Sequence, residues 1–132
     1  MKSIIITGGG AGIGKACAET FAEAGWRVAV IGRRPEPLEA LADRYDGVLA
    51  LPCDVTEEAA VDAAFDAAQE AWGRIDVLFN NAGVSALGAT IDAVPVADWR
   101  RCIDINVTGS FICARAAFAR MEAQDPQGGR II

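Results

Sequence analysis

The sequence contains no histidine, one tyrosine and only two lysines, Lys2 and Lys15. The absence of histidine argues against the common zinc sites and against the Cys–His pair of a thiol nucleophile. The cysteines lie in apolar stretches and have no C-x-x-C spacing; they are Cys17, Cys53, Cys102 and Cys113. We therefore expect reduced, buried thiols and no metal site.

Positive charge is scarce as well. Twelve Lys and Arg stand against 18 Asp and Glu, for a net charge of −6, and the only basic pairs are Arg33-Arg34 and Arg100-Arg101. A nucleic-acid partner is not expected, because such surfaces need clustered basic residues. No unbroken apolar run approaches a membrane span, and the chain does not open with a signal-peptide pattern. These observations predict a cytoplasmic protein without a membrane partner.

Short β-like runs alternate with amphipathic helical stretches. The predicted strands are residues 2–7, 27–31, 47–53, 75–79 and a fifth that begins at 129–132. The predicted helices are 12–24, 37–45, 57–72 with Thr56 as N-cap, 96–105 and 107–121. This alternation predicts a Rossmann-like doubly wound α/β fold, with helices on both faces of a parallel sheet. We expect one domain over residues 1–132, incomplete at its C-terminal side because the sequence ends inside a strand.

The turn after the first strand is rich in glycine: five glycines occupy the seven positions from Gly8 to Gly14. Glycine permits positive φ and lets a phosphate approach the backbone, and the following helix N-terminus offers free N–H groups. The turn therefore predicts a nucleotide pyrophosphate site, with a plain flexible turn as the alternative.

Spacing distinguishes the phosphate motifs. A strict G-x-G-x-x-G fails, since its last position falls on Ile13 or Lys15. A Walker-type G-x-x-x-x-G-K matches residues 9–15, but the next residue, Ala16, lacks the hydroxyl that holds Mg²⁺. A P-loop nucleotide binder stays open as an alternative. The pattern T-G-x-x-x-G-x-G, from Thr7 to Gly14, fits at every position.

With this pattern the chain resembles the short-chain dehydrogenase/reductase family, and further motifs follow in family order. They are Asp54-Val55, Asn80-Asn81-Ala82-Gly83, Asn106 within Asp104–Gly109, and Gly128–Ile132, which is similar to the strand before the family's catalytic serine. The resemblance implies that Asn106 belongs to the catalytic tetrad, where it kinks its helix and binds a relay water. It implies that the cofactor is bound by Gly8, Gly10, Gly12, Ile13, Gly14, Arg33, Arg34, Asp54, Val55, Asn81, Ala82 and Gly83.

The chain departs from the family pattern in one respect. The family relies on a serine and a Tyr-x-x-x-Lys pair, but the residue four positions after Tyr45 is Leu49. The resemblance implies a parent enzyme that transfers hydride between a nicotinamide cofactor and a small carbonyl or alcohol substrate. We expect the 132-residue chain alone to show no turnover and to aggregate. The alternative is a non-catalytic dinucleotide-binding module.

The end of the second strand predicts the choice of cofactor. NAD-preferring members usually place an acidic residue at the position of Gly32. Here no carboxylate repels a 2′-phosphate, and Arg33 can bind one, with Arg34 secondary. We expect NADP, with NAD possible; the alternative is that the two arginines are a solvated surface pair.

The helix at 107–121 is apolar on more than one face. The stripe Val107–Phe111–Ala114–Phe118–Met121 is predicted to cover the sheet, and a second set is Ile112–Ala116–Ala119. A helix that is apolar on two sides needs a second surface to pack against, besides the sheet. The resemblance implies dimers and tetramers built through this helix. We expect a homodimer or homotetramer with Ile112 and Ala116 close to the contact.

Overall fold

The computed structural model describes residues 1–85, 88 and 90–132. This part of the chain forms a five-stranded parallel sheet in the order β3-β2-β1-β4-β5. The strands are β1 Ser3–Thr7, β2 Arg27–Gly32, β3 Val48–Pro52, β4 Val77–Phe79 and β5 Arg130–Ile131. The helices are α1 Gly12–Glu23, α2 Pro35–Arg44, α3 Glu58–Trp72, α4 Val96–Ile103 and α5 Ser110–Ala123. A 3₁₀ turn at Ile91–Ala93 precedes α4, and a π-helical turn at Asp104–Gly109 joins α4 to α5.

The sheet is covered on both faces, which confirms the predicted doubly wound fold. Because successive strand residues point to opposite faces, Ile4 and Ile6 of β1 pack with Leu38 and Leu41 of α2. The intervening Ile5 packs with residues of α3 and α5 on the other face. All five residues of β1 are buried. An apolar strand of this kind is typical of the centre of a parallel sheet.

The strand order reverses at β1, which lies between β2 and β4. In open parallel sheets, ligands bind in the crevice beyond the carboxyl ends of the strands at this switch point. The glycine turn follows β1, Asp54 follows β3 and Asn81 follows β4. The topology therefore brings the sequence motifs to one edge of the sheet.

The predicted sheet-covering face of the last helix is wrong for its large side chains and right for Met121. Phe111 and Phe118 are 63% and 61% exposed, and Val107 is exposed too. The residues that α5 buries are Cys113, Ala116, Ala117 and Met121. The small side chains face inward because α5 packs against both α3 and β4. Ala116 lies in the core and Ile112 is half-buried against the same core, and both line one surface groove of α5. A homo-oligomer through this helix stays a prediction.

Val96–Ala123 is the one helix among the described residues with the length and composition of a membrane span. It has 28 residues and a mean hydropathy of 1.2 in its most apolar window. It arises because α4, the π-helical turn and α5 run on as one helix. Charged residues such as Asp104 and Arg115 interrupt its sequence, so the expectation that no unbroken apolar run approaches a span is not contradicted. The core helix of a soluble protein meets the same criteria, and α5 does bury one face against the sheet.

Two smaller expectations are also corrected. Thr56 is not the N-cap of α3, which is Glu57; the Thr56 hydroxyl instead donates to Asp54. All four cysteines are free, but only Cys53 and Cys113 are buried. Burial raises the pKa of these two thiols to about 11 and about 12.

An acidic side chain ties the beginning of β1 to the beginning of β4. Asp76 accepts hydrogen bonds from the Ser3 N–H at 2.9 Å and from Arg74 Nε at 2.7 Å. Burial raises the pKa of Asp76, but the hydrogen bonds from Arg74 and Ser3 outweigh this effect, so its pKa lies below the usual range. The ionised carboxylate is therefore the form that stabilises the fold.

We expect Asp76→Ala to lower the free energy of unfolding by about 1–3 kcal/mol at pH 7, because it leaves the buried Ser3 N–H without its acceptor. The folded-state pKa is depressed, so the stabilisation exists above the unfolded pKa of about 4 and is lost as the pH falls through the folded value. Denaturant titrations of the protein expressed from the longest open reading frame that contains this sequence (the long form) would measure both effects. Asp46→Ala, at an exposed carboxylate, is the control. Equal losses for the two variants, or a gap that does not narrow below pH 4, would contradict this assignment.

Candidate dinucleotide-binding site

The glycine turn is packed directly against the turn that follows β4. Gly8 has a φ of 66°, and a Cβ added to it would lie 3.0 Å from Ala82 Cα. A Cβ on Gly14 would overlap the Gly8 carbonyl oxygen and come within 2.5 Å of Asn81 Nδ2. No side chain fits at position 14 without displacing backbone, so the glycine spacing of the sequence is a steric requirement of this contact.

Hydrogen bonds hold the two turns together. The Ala82 N–H donates to Thr7 Oγ1 at 2.9 Å, and the Thr7 hydroxyl lies 3.5 Å from the Phe79 carbonyl that it faces. Asn81 Nδ2 donates to the Gly8 carbonyl at 3.3 Å. Thr7 therefore ties the end of β1 to this turn. Because Thr7 is buried, its hydroxyl fixes the relative position of β1 and the loop after β4.

The first turn of α1 has no side-chain cap. Its N-cap is Ala11, which cannot accept a hydrogen bond from the helix, and the first helical bond runs from the Lys15 N–H to the Ala11 carbonyl. The N–H groups of residues 12–14 thus precede the hydrogen-bonded ladder and lie at the positive end of the helix dipole. This arrangement can bind an anion through the backbone.

A cleft of about 230 Å³ opens beside the glycine turn. Eight of the predicted cofactor residues line it: Gly8, Gly10, Arg33, Arg34, Asp54, Val55, Ala82 and Gly83. Of the other predicted residues, Gly12, Ile13 and Gly14 lie at the helix N-terminus, Asn81 binds Gly8, and Asn106 supports Val84, which does line the cleft. The structure thus brings the predicted residues to one edge of the sheet without placing all of them in the cleft wall.

Sequence reasoning missed several wall residues. They are Ala11, Ile31, Pro37, Leu38, Cys53, Val84, Arg101 and Ile105. Most are apolar and carry no chemical signature that could distinguish them from core residues. Arg101 did carry a signal, because Arg100-Arg101 is one of the two basic pairs in an acidic chain.

Asp54 is held in place at the end of β3. Its Oδ1 accepts hydrogen bonds from the Thr56 N–H at 3.0 Å and from the Thr56 hydroxyl at 2.7 Å. These bonds lower the pKa of Asp54, and the nearby Arg33 guanidinium lowers it further. Arg33 Nε lies 3.8 Å from Asp54 Oδ2, and the Arg33 side chain is 64% exposed. The carboxylate is therefore ionised and oriented, while Arg33 can reach a ligand.

Asn106 lies in the π-helical turn and is bound to the loop after β4 by two hydrogen bonds. The Val84 N–H donates to Asn106 Oδ1 at 2.8 Å, and Asn106 Nδ2 donates to the Val84 carbonyl at 2.7 Å. The Ser110 hydroxyl donates to the Asn106 carbonyl at 2.8 Å. The helix kink that the family resemblance implied at Asn106 thus takes the form of a π-helical turn. Both polar atoms of the Asn106 side chain thus bind Val84 and position the loop.

Lys15 lines a groove with Glu19 and Arg44 that also includes Gly10 of the glycine turn. The residue after it, Ala16, has no hydroxyl to hold Mg²⁺. The Walker-type interpretation of residues 9–15 is therefore not favoured.

The comparisons with known proteins agree with this geometry. A family model described as short chain dehydrogenase matches residues 2–132. D-threitol dehydrogenase of Mycolicibacterium smegmatis is 37% identical over 135 residues, which cover 99% of this chain and 51% of that protein. Glucose 1-dehydrogenase 2 of Bacillus subtilis is 35% identical over 133 residues, which cover 96% of this chain and 51% of that protein.

A solved structure has the same architecture. The 3-ketoacyl-(acyl-carrier-protein) reductase from Brucella melitensis, complexed with NADH, superposes with a TM-score of 0.93 at 32% identity. The match covers 98% of this chain and 55% of that one. The chain spans about half the length of the curated relatives named above. Sequence, fold and the arrangement of the glycine turn lead to one conclusion: the chain belongs to the short-chain dehydrogenase family of oxidoreductases.

Proposed function

We propose that the protein containing this chain is an NADP(H)-dependent oxidoreductase that moves a hydride between the nicotinamide ring and the carbonyl or alcohol carbon of a small molecule. The observation that carries the proposal is the cradle formed by Gly8, Gly14 and the uncapped first turn of α1. Gly8 and Gly14 hold this helix terminus against the turn after β4, the space beside Gly12 is open, and the N–H groups have no competing side-chain acceptor.

The residues present fit a dinucleotide. The N–H groups of residues 12–14 suit the pyrophosphate, and the cleft between Leu38 and Val55 suits an adenosine because its floor is largely apolar. The turn at Asn81–Gly83 would support the part of the cofactor that leads to the nicotinamide. A nicotinamide dinucleotide is also supported by the NADH in the related reductase structure.

Local charge favours the cofactor that bears a 2′-phosphate. Three guanidinium groups, those of Arg33, Arg34 and Arg101, line the cleft against one carboxylate, that of Asp54. This excess of positive charge occurs in a chain whose net charge is −6. Gly32 offers no carboxylate to hold the two ribose hydroxyls, and Arg33 stands next to it with most of its side chain in solvent. These features support NADP(H) as the preferred cofactor.

The cofactor supplies the hydride, and this chain binds and orients it. Asn106 holds Val84 through both backbone groups, so it fixes the wall of the cleft where the π-helical turn approaches the loop after β4. Tyr45, the one tyrosine of the chain, donates to Glu23 Oε1 at 3.0 Å and does not line the cleft. Tyr45 is therefore not placed to transfer the proton, and the proposal for the chain itself is limited to cofactor binding.

Turnover tests the proposal and separates it from the alternative of a non-catalytic binding module. We expect the long form to oxidise NADPH in the presence of sugars, small ketones or acyl thioesters from a carbonyl panel, or to reduce NADP⁺ with the matching alcohols. Absorbance of the reduced cofactor follows either direction. Dinucleotide binding without turnover across the panel, by a long form that contains a Tyr-x-x-x-Lys pair, would favour the binding module.

We expect Arg33→Ala to weaken NADPH binding by about 10- to 100-fold while changing NADH affinity less than about threefold, because one charge-assisted phosphate contact is removed. Fluorescence titration of both cofactors on the long form measures the two affinities. Arg115→Ala is the matched control, since that side chain is also about two-thirds exposed and ion-paired but lies between α3 and α5. Parallel losses for NADH and NADPH in Arg33→Ala would contradict a role in cofactor choice.

A further inference from the structure

Arg101 enters the nucleotide cleft from a different element than the other two arginines. Arg33 and Arg34 follow β2, whereas Arg101 lies in the last turn of α4, four residues before Ile105. Residues four apart share one side of a helix, and Arg101 and Ile105 both line the cleft. Both also line an adjoining groove, with Arg33 and Asp54 at its border. Arg101 therefore lies beside the Arg33–Asp54 pair at the solvent end of the cleft.

The usual structural reasons for an arginine do not explain Arg101. Asp98 and Asp104 lie three residues before and after it, yet within the described ranges no carboxylate is closer than 4.0 Å to its guanidinium. A helix C-terminus would favour a cation there, but α4 does not end. Asp104 keeps helical angles, and the chain continues into the π-helical turn. The side chain is exposed and has no carboxylate partner where an anionic, aromatic ligand would bind.

We propose that Arg101 is a cofactor-binding residue whose guanidinium packs on the adenine ring of the bound dinucleotide. This inference rests on the proposed function. An arginine side chain is planar and stacks on aromatic faces, and Ile105, one turn further along the helix, adds an apolar contact on the same side of the cleft. Arg101 thus binds the base, which is common to NAD and NADP.

The two arginines then have different roles. Arg33, adjacent to Gly32 and 3.8 Å from Asp54, is placed to contact the substituent at the ribose 2′ position. Arg101 contributes affinity for adenosine whether or not a 2′-phosphate is present. With this division of roles, the cleft would bind both cofactors and prefer the one with a 2′-phosphate. The division also gives the second basic pair of the sequence a function that differs between its members, because Arg100 lines only the adjoining groove.

The test measures binding of two small probes, 5′-AMP and adenosine 2′,5′-bisphosphate, to the long form by calorimetry. We expect Arg101→Ala to weaken both probes to a similar extent, by about 3- to 10-fold, as the loss of one partly exposed cation–π contact would. Arg33→Ala should weaken the bisphosphate only. Arg100→Ala, the adjacent arginine, should leave both affinities unchanged. Thermal unfolding of each variant confirms that these exposed substitutions leave the fold intact.

Three results would overturn the inference, and they are distinguishable. Unchanged affinities in Arg101→Ala would show that the side chain does not contact the nucleotide, while the proposed function stands. Loss confined to the bisphosphate would assign Arg101 to the 2′-phosphate instead of the base. Failure of the unsubstituted protein to bind either probe would overturn both the proposed function and the inference that rests on it.

Discussion

The contact between the turn after β1 and the turn after β4 is the constraint on which the rest of the site depends. Gly14 must approach the Gly8 carbonyl and Asn81 more closely than any residue with a Cβ could. The buried Thr7 hydroxyl then secures Ala82. Because these turns belong to adjacent strands at the switch point, their contact sets the distance between the N-terminus of α1 and the opposite cleft wall.

Electrostatics adds selectivity to this steric arrangement. The chain is acidic as a whole, yet the cleft carries more guanidinium groups than carboxylates. Its one carboxylate, on Asp54, is kept ionised by hydrogen bonds from Thr56 and is thereby fixed beside Arg33. A cleft with this charge attracts a polyanion, and its apolar floor suits the base. A cleft with both properties suits a dinucleotide better than it suits inorganic phosphate.

The fold and much of the site could be predicted from the sequence because both depend on local patterns. The apolar run of β1 identifies a buried strand. The glycine spacing after it identifies a turn of the nucleotide-binding type. Both patterns consist of consecutive residues. The inward face of α5 could not be predicted, because Cys113, Ala116 and Ala117 are small and Phe111 and Phe118 are large. The hydrophobicity pattern predicted that the two phenylalanines would be buried, but the small residues are the ones that pack closely against α3. Arg101 was missed because helices are placed relative to a cleft by tertiary packing, which sequence spacing does not encode.

A crystal structure of the long form with NADPH would show directly where the cofactor binds. We expect the pyrophosphate on the N–H groups of residues 12–14, the 2′-phosphate within hydrogen-bond distance of Arg33 and the adenine beside Val55 and Arg101. Density for the cofactor in another cavity, or a pyrophosphate bound by Lys15 and not by the α1 backbone, would contradict this expectation.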